Sequence, residues 1–297
     1  MLLIIKALKQ KIVFIVNPVS GGKSKTFIPC LIDRYLDHHT FNASIIFSEH
    51  IGHAYTLALQ ALQNGADIVV SVGGDGTINE VASAMVQSGK LMGIVPCGSG
   101  NGLARMLKIP LNHVEAIKRI NKLKNIWVDS AELNEKKIFN IAGIGFDAHI
   151  SALFAKDKKR GLSGYIKSTF TQIYAYRPQL YTLEIDGKKI EELAFMLSIA
   201  NSSQFGNNVH IAPEASVFDG FLDVCLVKPF PLYQLPILGW RLLNKTIHKS
   251  AYVQITKAKK LKIFRQNAGQ VHLDGEPYFM GKEINIEIKP LSINLII

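Results

Sequence analysis

Three clusters of glycine and small polar residues stand out in the first part of the chain: Asn17-Pro-Val-Ser-Gly-Gly-Lys23-Ser24, Gly73-Gly-Asp-Gly-Thr-Ile-Asn79 and Gly98-Ser-Gly-Asn-Gly102. Glycine lets a ligand reach the main chain, and main-chain N–H groups at a helix start hold anions. Such clusters suit a phosphate-bearing ligand. In the first, Gly22-Lys23-Ser24 matches the end of a Walker A loop. Asn17 stands where that loop needs glycine, however, and Pro18 stiffens the turn, so a basic phosphate loop of another kind is expected around Ser20, Gly21 and Lys23. In the second, Gly73, Gly74 and Gly76 surround Asp75, which could hold a metal or accept a proton, while Thr77 and Asn79 can donate to phosphate oxygens. A helix cap would need one such residue rather than five. The third resembles a dinucleotide fingerprint, but Leu103 takes the sixth position and the next acidic residue, Asp129, lies too far along.

These clusters have to be carried by strands. Lys11–Val16, Ser44–Phe47, Asp67–Val72 and Leu91–Val95 are short apolar runs, and helical spacing follows each: about 23–38, 55–64, 78–87 and from 103. Strand, glycine-rich turn and helix in repetition predict a parallel sheet covered on both faces. After Trp127 the texture changes. Runs at 181–185, 195–200, 222–227, 252–255, 261–264, 271–273 and 284–288 are separated by turns, with hairpin signals at Asp186-Gly187, Asp219-Gly220 and Asp274-Gly275. This half predicts an antiparallel sandwich or barrel, with helical pieces near 162–176 and 232–249. The expected domains are 1–128 and 129–297, and no internal repeat is found. By residue type alone Asp219 and Asp274 read as turn residues. Glu276, just past the second turn, could bring two carboxylates to one mouth.

The 297 residues carry 34 Lys and Arg against 23 Asp and Glu, a formal net charge of +11, with 48% hydrophobic residues and three cysteines. That excludes a disulfide scaffold and a disordered chain. No apolar run is long enough to span a membrane and no cleavable leader is seen, so a cytoplasmic protein is expected. The excess positive charge calls for nucleic acid, an anionic membrane surface or a phosphorylated substrate. No nucleic-acid motif or aromatic-interleaved basic stripe is present, so no nucleic acid is expected. Leu235, Leu238 and Leu242 share one helical face, with Arg241, Lys245 and Lys249 on another, a pattern that suits either bilayer docking or core packing. The histidines have no zinc-ligand spacing.

Together, Asn17-Pro18 with Ser20-Gly21-Gly22, Gly73-Gly-Asp-Gly-Thr77, Gly98-Ser-Gly-Asn101 before Leu103-Ala-Arg105, Pro213-Glu-Ala-Ser-Val-Phe-Asp219-Gly-Phe-Leu-Asp223 and Leu273-Asp-Gly-Glu-Pro277 resemble the diacylglycerol kinase and sphingosine kinase superfamily, bacterial soluble type. The resemblance covers nearly the whole chain. It implies an α/β ATP-binding domain with an NAD kinase-like parallel sheet, then a C-terminal β-sandwich domain for lipid, with ATP and Mg²⁺ meeting the lipid between them. It implies ATP contacts at Asn17, Pro18, Ser20, Gly21, Lys23, Ser48, Gly73 to Asn79, Ser99 and Asn101. It further implies a structural metal at Asp219 with the carbonyls of Ser216 and Phe221, and Glu276, beside Asp274, as proton acceptor. Asp75 remains a second candidate for the base. Gly102 departs from the diacylglycerol kinase form, and Asp129 falls near where sphingosine kinases hold an amino-alcohol, so the acceptor stays open between diacylglycerol and a sphingoid base. The expectation is an ATP-dependent lipid kinase, peripheral at an anionic membrane that carries its substrate, with a homodimer left open. The alternatives are a kinase of a soluble metabolite such as NAD and a non-catalytic nucleotide- or nucleic-acid-binding protein.

Overall fold

The structure is a computed structural model and describes residues 9–22, 24–156, 172–206 and 208–297. The chain forms two compact units. One holds Met1–Gly98, Leu107–Trp127 and Ile293–Ile297, and the other holds Ser99–Met106 and Val128–Ser292.

In the first unit β1 (Gln10–Val16), β2 (Phe41–Phe47), β3 (Ile68–Gly73) and β4 (Leu91–Pro96) form a parallel sheet in the order β2-β1-β3-β4. Every residue of β3 is buried, as a strand covered on both faces requires. The helices are α1 (Ile28–Tyr35), α2 (His53–Gln63), α3 (Asp75–Met85) and α5 (His113–Ile120); α4 (Gly102–Met106) belongs to the other unit. Phe14, Ile28, Ile32, Phe41, Val70 and Ile117 sit in one apolar cluster. The helix expected from residue 78 begins at Asp75 instead, which puts the carboxylate in the first turn, where the helix dipole favours it. The helix expected over 23–38 is shorter, because a 3₁₀ turn at Ser20–Gly22 precedes it and Pro29 opens α1.

The second unit is a sandwich of two antiparallel sheets. The strands are β5 (Asn125–Leu133), β6 (Lys136–Ile138), β7 (Ile141–Gly145), β8 (Gln179–Ile185), β9 (Lys188–Ala194), β10 (Met196–Ala200), β11 (Gln204–Gly206), β12 (Val209–His210), β13 (Leu222–Val227), β14 (Val253–Ala258), β15 (Lys260–Arg265), β16 (Gly269–Leu273), β17 (Glu276–Met280) and β18 (Glu283–Ile296). One sheet runs β14-β13-β10-β7-β16-β17. In the other, β9, β8, β15 and the first half of β18 pair in that order, with β5 and β6 alongside. Between them lies a core containing Ile144, Tyr181, Leu197, Ile199, Leu222, Leu261, Ile263 and Ile284. The far face of the first sheet is covered by α6 (Phe146–Lys156) and α7 (Leu235–Leu243), through Phe146, Ile150, Leu238 and Val253.

Asp186-Gly187 and Asp274-Gly275 make the expected hairpins, with both residues of each at positive φ. Asp219-Gly220 does not turn a hairpin. It precedes β13, whose antiparallel partners are β10 and β14. The strand β9 escaped the sequence reading because Lys188-Lys-Ile-Glu-Glu-Leu-Ala194 is a polar edge strand. Most of the helical piece expected near 162–176 lies outside the described residues. No helix among the described residues is long and apolar enough to cross a membrane.

Candidate active site

The strand order β2-β1-β3-β4 reverses direction between β1 and β3, and ligands of open α/β sheets sit at that point, beyond the carboxyl ends of the strands. The register aligns those ends: Val16 lies beside Phe47 and Val72, and Gly73 beside Pro96. Asn17, Ser48, Gly73 and Cys97 therefore leave the sheet along one edge. Asn17 Nδ2 donates to Thr77 Oγ1 at 3.0 Å, and Asn17 Oδ1 accepts the Val19 N–H at 3.1 Å, so one side chain ties the first loop to the second and folds the first upon itself. Pro18 sits in this turn, half-buried.

Close packing explains the glycines. A Cβ on Gly74 would lie 3.2 Å from Gly98 Cα and 3.3 Å from Ser20 Oγ, so the three loops converge there. A Cβ on Gly21, whose φ is +63°, would overlap the Cys97 carbonyl, and one on Gly73 would overlap the Thr77 side chain. Asp75 and Gly76 are half-buried in the first turn of α3 and Thr77 is buried; Asn79 follows on the same helix. Ser48 is buried at the end of β2, its N–H bonded to Val16 O at 2.9 Å. The arrangement can bind an anionic ligand through main-chain N–H groups and short side chains.

Lys23 lies outside the described residues. The lysine that supports the loop is Lys25, which the sequence reading passed over: it is 4% exposed, and its Nζ donates to the Ser20 carbonyl at 2.7 Å. No spacing rule marks it, since its burial comes from the fold. Burial pushes the nearby Cys97 thiol up to about 11, with Lys25 opposing.

The third glycine cluster divides at Gly98, and Ser99 onward belongs to the second unit. Ser99 is exposed there, whereas Asn101 is 5% exposed at φ +52° and precedes α4. Arg105 folds back, its Nε donating to Gly100 O at 2.9 Å. A Cβ on Gly102 would overlap the Asn140 amide. Asn140 in turn accepts the Ser202 hydroxyl, and Asn201 Nδ2 donates to the carbonyls of Asp129 and Phe139, each at 3.0 Å. Asn201, Ser202, Ser203 and Gln204 are all buried at the end of β10. This polar run was also passed over, although four consecutive polar residues after an apolar strand are a legible signal. Deeper in the unit Asp147 Oδ2 accepts Ser198 Oγ at 3.0 Å and meets His272 Nε2 at 3.2 Å.

The carboxylates separate by environment. Asp274 accepts three main-chain N–H groups, from Phe139 at 3.0 Å, Asn140 at 2.8 Å and Ile141 at 3.0 Å, which fixes the entry to β7. Asp129 is neither a solvated turn residue nor open to a head group. It is 1% exposed, and its oxygens accept the N–H groups of Gly220 and Leu291, each at 2.7 Å. Glu276 begins β17, exposed and without an ion pair among the described residues. Asp219 accepts the Phe221 N–H at 3.1 Å with one oxygen and the Lys257 ammonium with the other, and Ser216 Oγ accepts the Phe218 N–H at 3.3 Å. Asp223, paired in register with Lys257, is 3% exposed; burial raises its carboxyl to about 6 against the pull of Lys257. The carboxylate that the resemblance offers to a structural metal is therefore already paired with an ammonium. These residues do not fit a divalent cation while Lys257 stays in place. Among the described residues no three His, Cys, Asp or Glu side chains are grouped to hold a metal.

Glycine loops at the switch point of a parallel sheet, followed in the chain by an antiparallel sandwich, define a two-unit α/β-plus-β protein with a candidate anion site at its strand ends. Residues 11–133 match the diacylglycerol kinase catalytic domain, and residues 140–297 match the YegS C-terminal NAD kinase beta sandwich-like domain. The chain is 30% identical over 236 residues to a "Probable lipid kinase YegS-like" of Chromohalobacter salexigens, covering 77% of this chain and 75% of that protein. It is 27% identical over 271 residues to the diacylglycerol kinase of Bacillus subtilis, covering 88% of each. The crystal structure of a diacylglycerol kinase from Bacillus anthracis shares the fold, with a TM-score of 0.76 at 21% identity over 97% of this chain and 96% of that one. The chain belongs to the diacylglycerol kinase and YegS-like lipid kinase family, a family of phosphotransferases.

Proposed function

We propose that the protein transfers the γ-phosphate of ATP to the hydroxyl of a neutral lipid, diacylglycerol or a close relative. The observation that carries this reading is the convergence of the Asn17–Gly21, Gly73–Thr77 and Cys97–Gly98 loops at the sheet's switch point, within a chain of this family.

In this reading the nucleotide phosphates lie against the loop N–H groups and the start of α3, where the helix dipole and the small side chains of Ser20 and Thr77 stabilise negative charge. Lys25 holds the first loop in shape from beneath, through the Ser20 carbonyl. Mg²⁺ bound with the nucleotide would offset the charge on its phosphates, and Asp75, in the first turn of α3, would be the residue to hold that complex. Glu276 takes the acceptor's hydroxyl proton, since its carboxylate is exposed, whereas that of Asp274 is absorbed by three main-chain donors. Asp274 is a positioning residue. Alignment of acceptor and γ-phosphate supplies most of the remaining rate.

The test is transfer of label from γ-labelled ATP by the purified chain to diacylglycerol, a sphingoid base and NAD, each offered separately. The expected result is label in diacylglycerol. Label in NAD alone, or in none of the three, overturns the reading.

A further inference from the structure

The helix α7 is apolar on both sides. Inward, Leu238 is buried, and Leu235 and Leu242 pack against the cluster over the β13-β10-β7 face, so the leucine face singled out in the sequence is core. Outward, Ile237, Trp240 and Leu243 are 48%, 61% and 53% exposed, and Tyr233, in the turn just before the helix, is 73% exposed. Positions 233, 237 and 240 follow helical spacing and make one stripe. A surface helix that keeps one face in the core normally turns polar residues outward. Here the outward stripe carries the larger side chains, and contiguous exposed apolar surface of that kind marks an interaction site.

The stretch of chain that carries it is basic. From Val224 to Leu273 there are nine Lys and Arg and no Asp or Glu, and four of the nine pair with carboxylates from outside the stretch: Lys228 with Glu192, Lys257 with Asp219, Lys260 with Glu287 and Lys262 with Glu184. Lys245 and Lys249 follow the helix, are exposed, and make no ion pair among the described residues; Arg241, half-buried on the helix, donates to Thr246 O at 3.2 Å. Aromatic rings backed by aliphatic side chains, with lysines at the margin, match the layering of a bilayer surface: hydrocarbon, head-group zone, anionic phosphate. A second copy of the chain would instead bring like charges together across a two-fold axis.

We propose that the outward face of α7, with the Leu232–Gln234 turn before it and Lys245 and Lys249 after it, docks on an anionic lipid bilayer. The inference goes beyond the kinase reading, because it concerns a surface apart from the glycine loops and asks nothing of ATP.

The experiment is co-sedimentation of the full chain, without nucleotide, with vesicles of phosphatidylcholine alone or with about a third phosphatidylglycerol, the latter typical of an anionic leaflet. In a Trp127→Phe background Trp240 becomes the single tryptophan reporter. Expected are pelleting with the anionic vesicles only, a blue shift of Trp240 emission, and loss of pelleting for Ile237→Ser/Trp240→Ser. Lys245→Ala/Lys249→Ala weakens partitioning about 25-fold, about fivefold per charge. The proposal falls if Ile237→Ser/Trp240→Ser, with an unchanged melting curve, pellets like the parent, or if Trp240 emission does not respond. It also falls if the parent is a dimer that this substitution splits while vesicles pellet neither. Nucleotide is absent throughout, so failure here leaves the phosphoryl-transfer reading standing, and failure of the label assay leaves this one standing.

Discussion

In the first unit, the candidate ligand-binding loops are built from residues with almost no side chain; in the second, the residues with the strongest side-chain chemistry are mostly occupied with their own backbone. Gly21 is needed because the first loop meets the Cys97 carbonyl closer than a Cβ allows, Gly73 because the Thr77 side chain stands over it, and at Gly74 a Cβ would press on Gly98 and Ser20. Asp129 and Asp274, by contrast, spend their charge on five main-chain N–H groups between them. An Asp-Gly pair therefore means different things in the two regions. Asp75-Gly76 opens a helix at a sheet edge, while Asp274-Gly275 turns a hairpin and clamps a neighbouring strand.

The contrast can be tested most severely at its exception. Glu276 is an exposed carboxylate of the second unit with no ion pair among the described residues, and Glu276→Gln should lower kcat by about 10²–10⁴ while leaving nucleotide affinity in place. Asp75→Asn should weaken nucleotide binding as well, measured by titration with a fluorescent ATP analogue. If both variants keep near-parental turnover, the assignment of chemistry to either carboxylate is wrong.

Asp274→Ala should behave as a structural lesion, costing about 3 kcal/mol in denaturant unfolding because three buried donors lose a charged acceptor. Loss of turnover with unchanged stability would move Asp274 to the catalytic side of the comparison. Gly21→Ala forces a left-handed residue against the Cys97 carbonyl, and about 2 kcal/mol of strain should appear as roughly thirtyfold weaker nucleotide binding. Parental affinity in that variant would mean that the loop has room to spare.

The smallest effect is a slope with pH. The Asp223 carboxyl titrates near 6 in the folded chain, raised from 3.8, so the native state holds this proton more tightly than the unfolded state. The favourable contribution is complete below pH 3.8 and is lost as pH rises through 6. Between about pH 5 and pH 7 the loss is about 1 kcal/mol, and Asp223→Asn should remove that part of the slope in thermal melts. An unchanged slope would place the charge elsewhere.

The first unit was the more legible because its signals are local. An apolar run, glycine and a helical pattern follow one another in the chain, and a parallel sheet lines up the ends of its strands. The divided third cluster shows the limit: Gly98 and Ser99 are neighbours in sequence and fall in different units. The burial of Lys25, the buried run Asn201–Gln204 and which face of α7 turns inward depend on what packs against them from elsewhere in the chain, and no spacing carries that information. Asp129 is the plainest case. Its partners Gly220 and Leu291 lie 91 and 162 positions away, and only the folded sandwich brings their amides to it.

The end of β18 has a consequence for how the molecule is made. Asn294 and Leu295 pair with Leu91 and Met92, and Ile293, Leu295 and Ile296 are buried in the first unit. On the ribosome the edge of β4 stays without this neighbour until residues about 200 positions further along have been made. The unit synthesised first is thus among the last to be completed, and a chain stalled or clipped a few residues before Ile293 would carry an open, apolar strand edge that invites self-association.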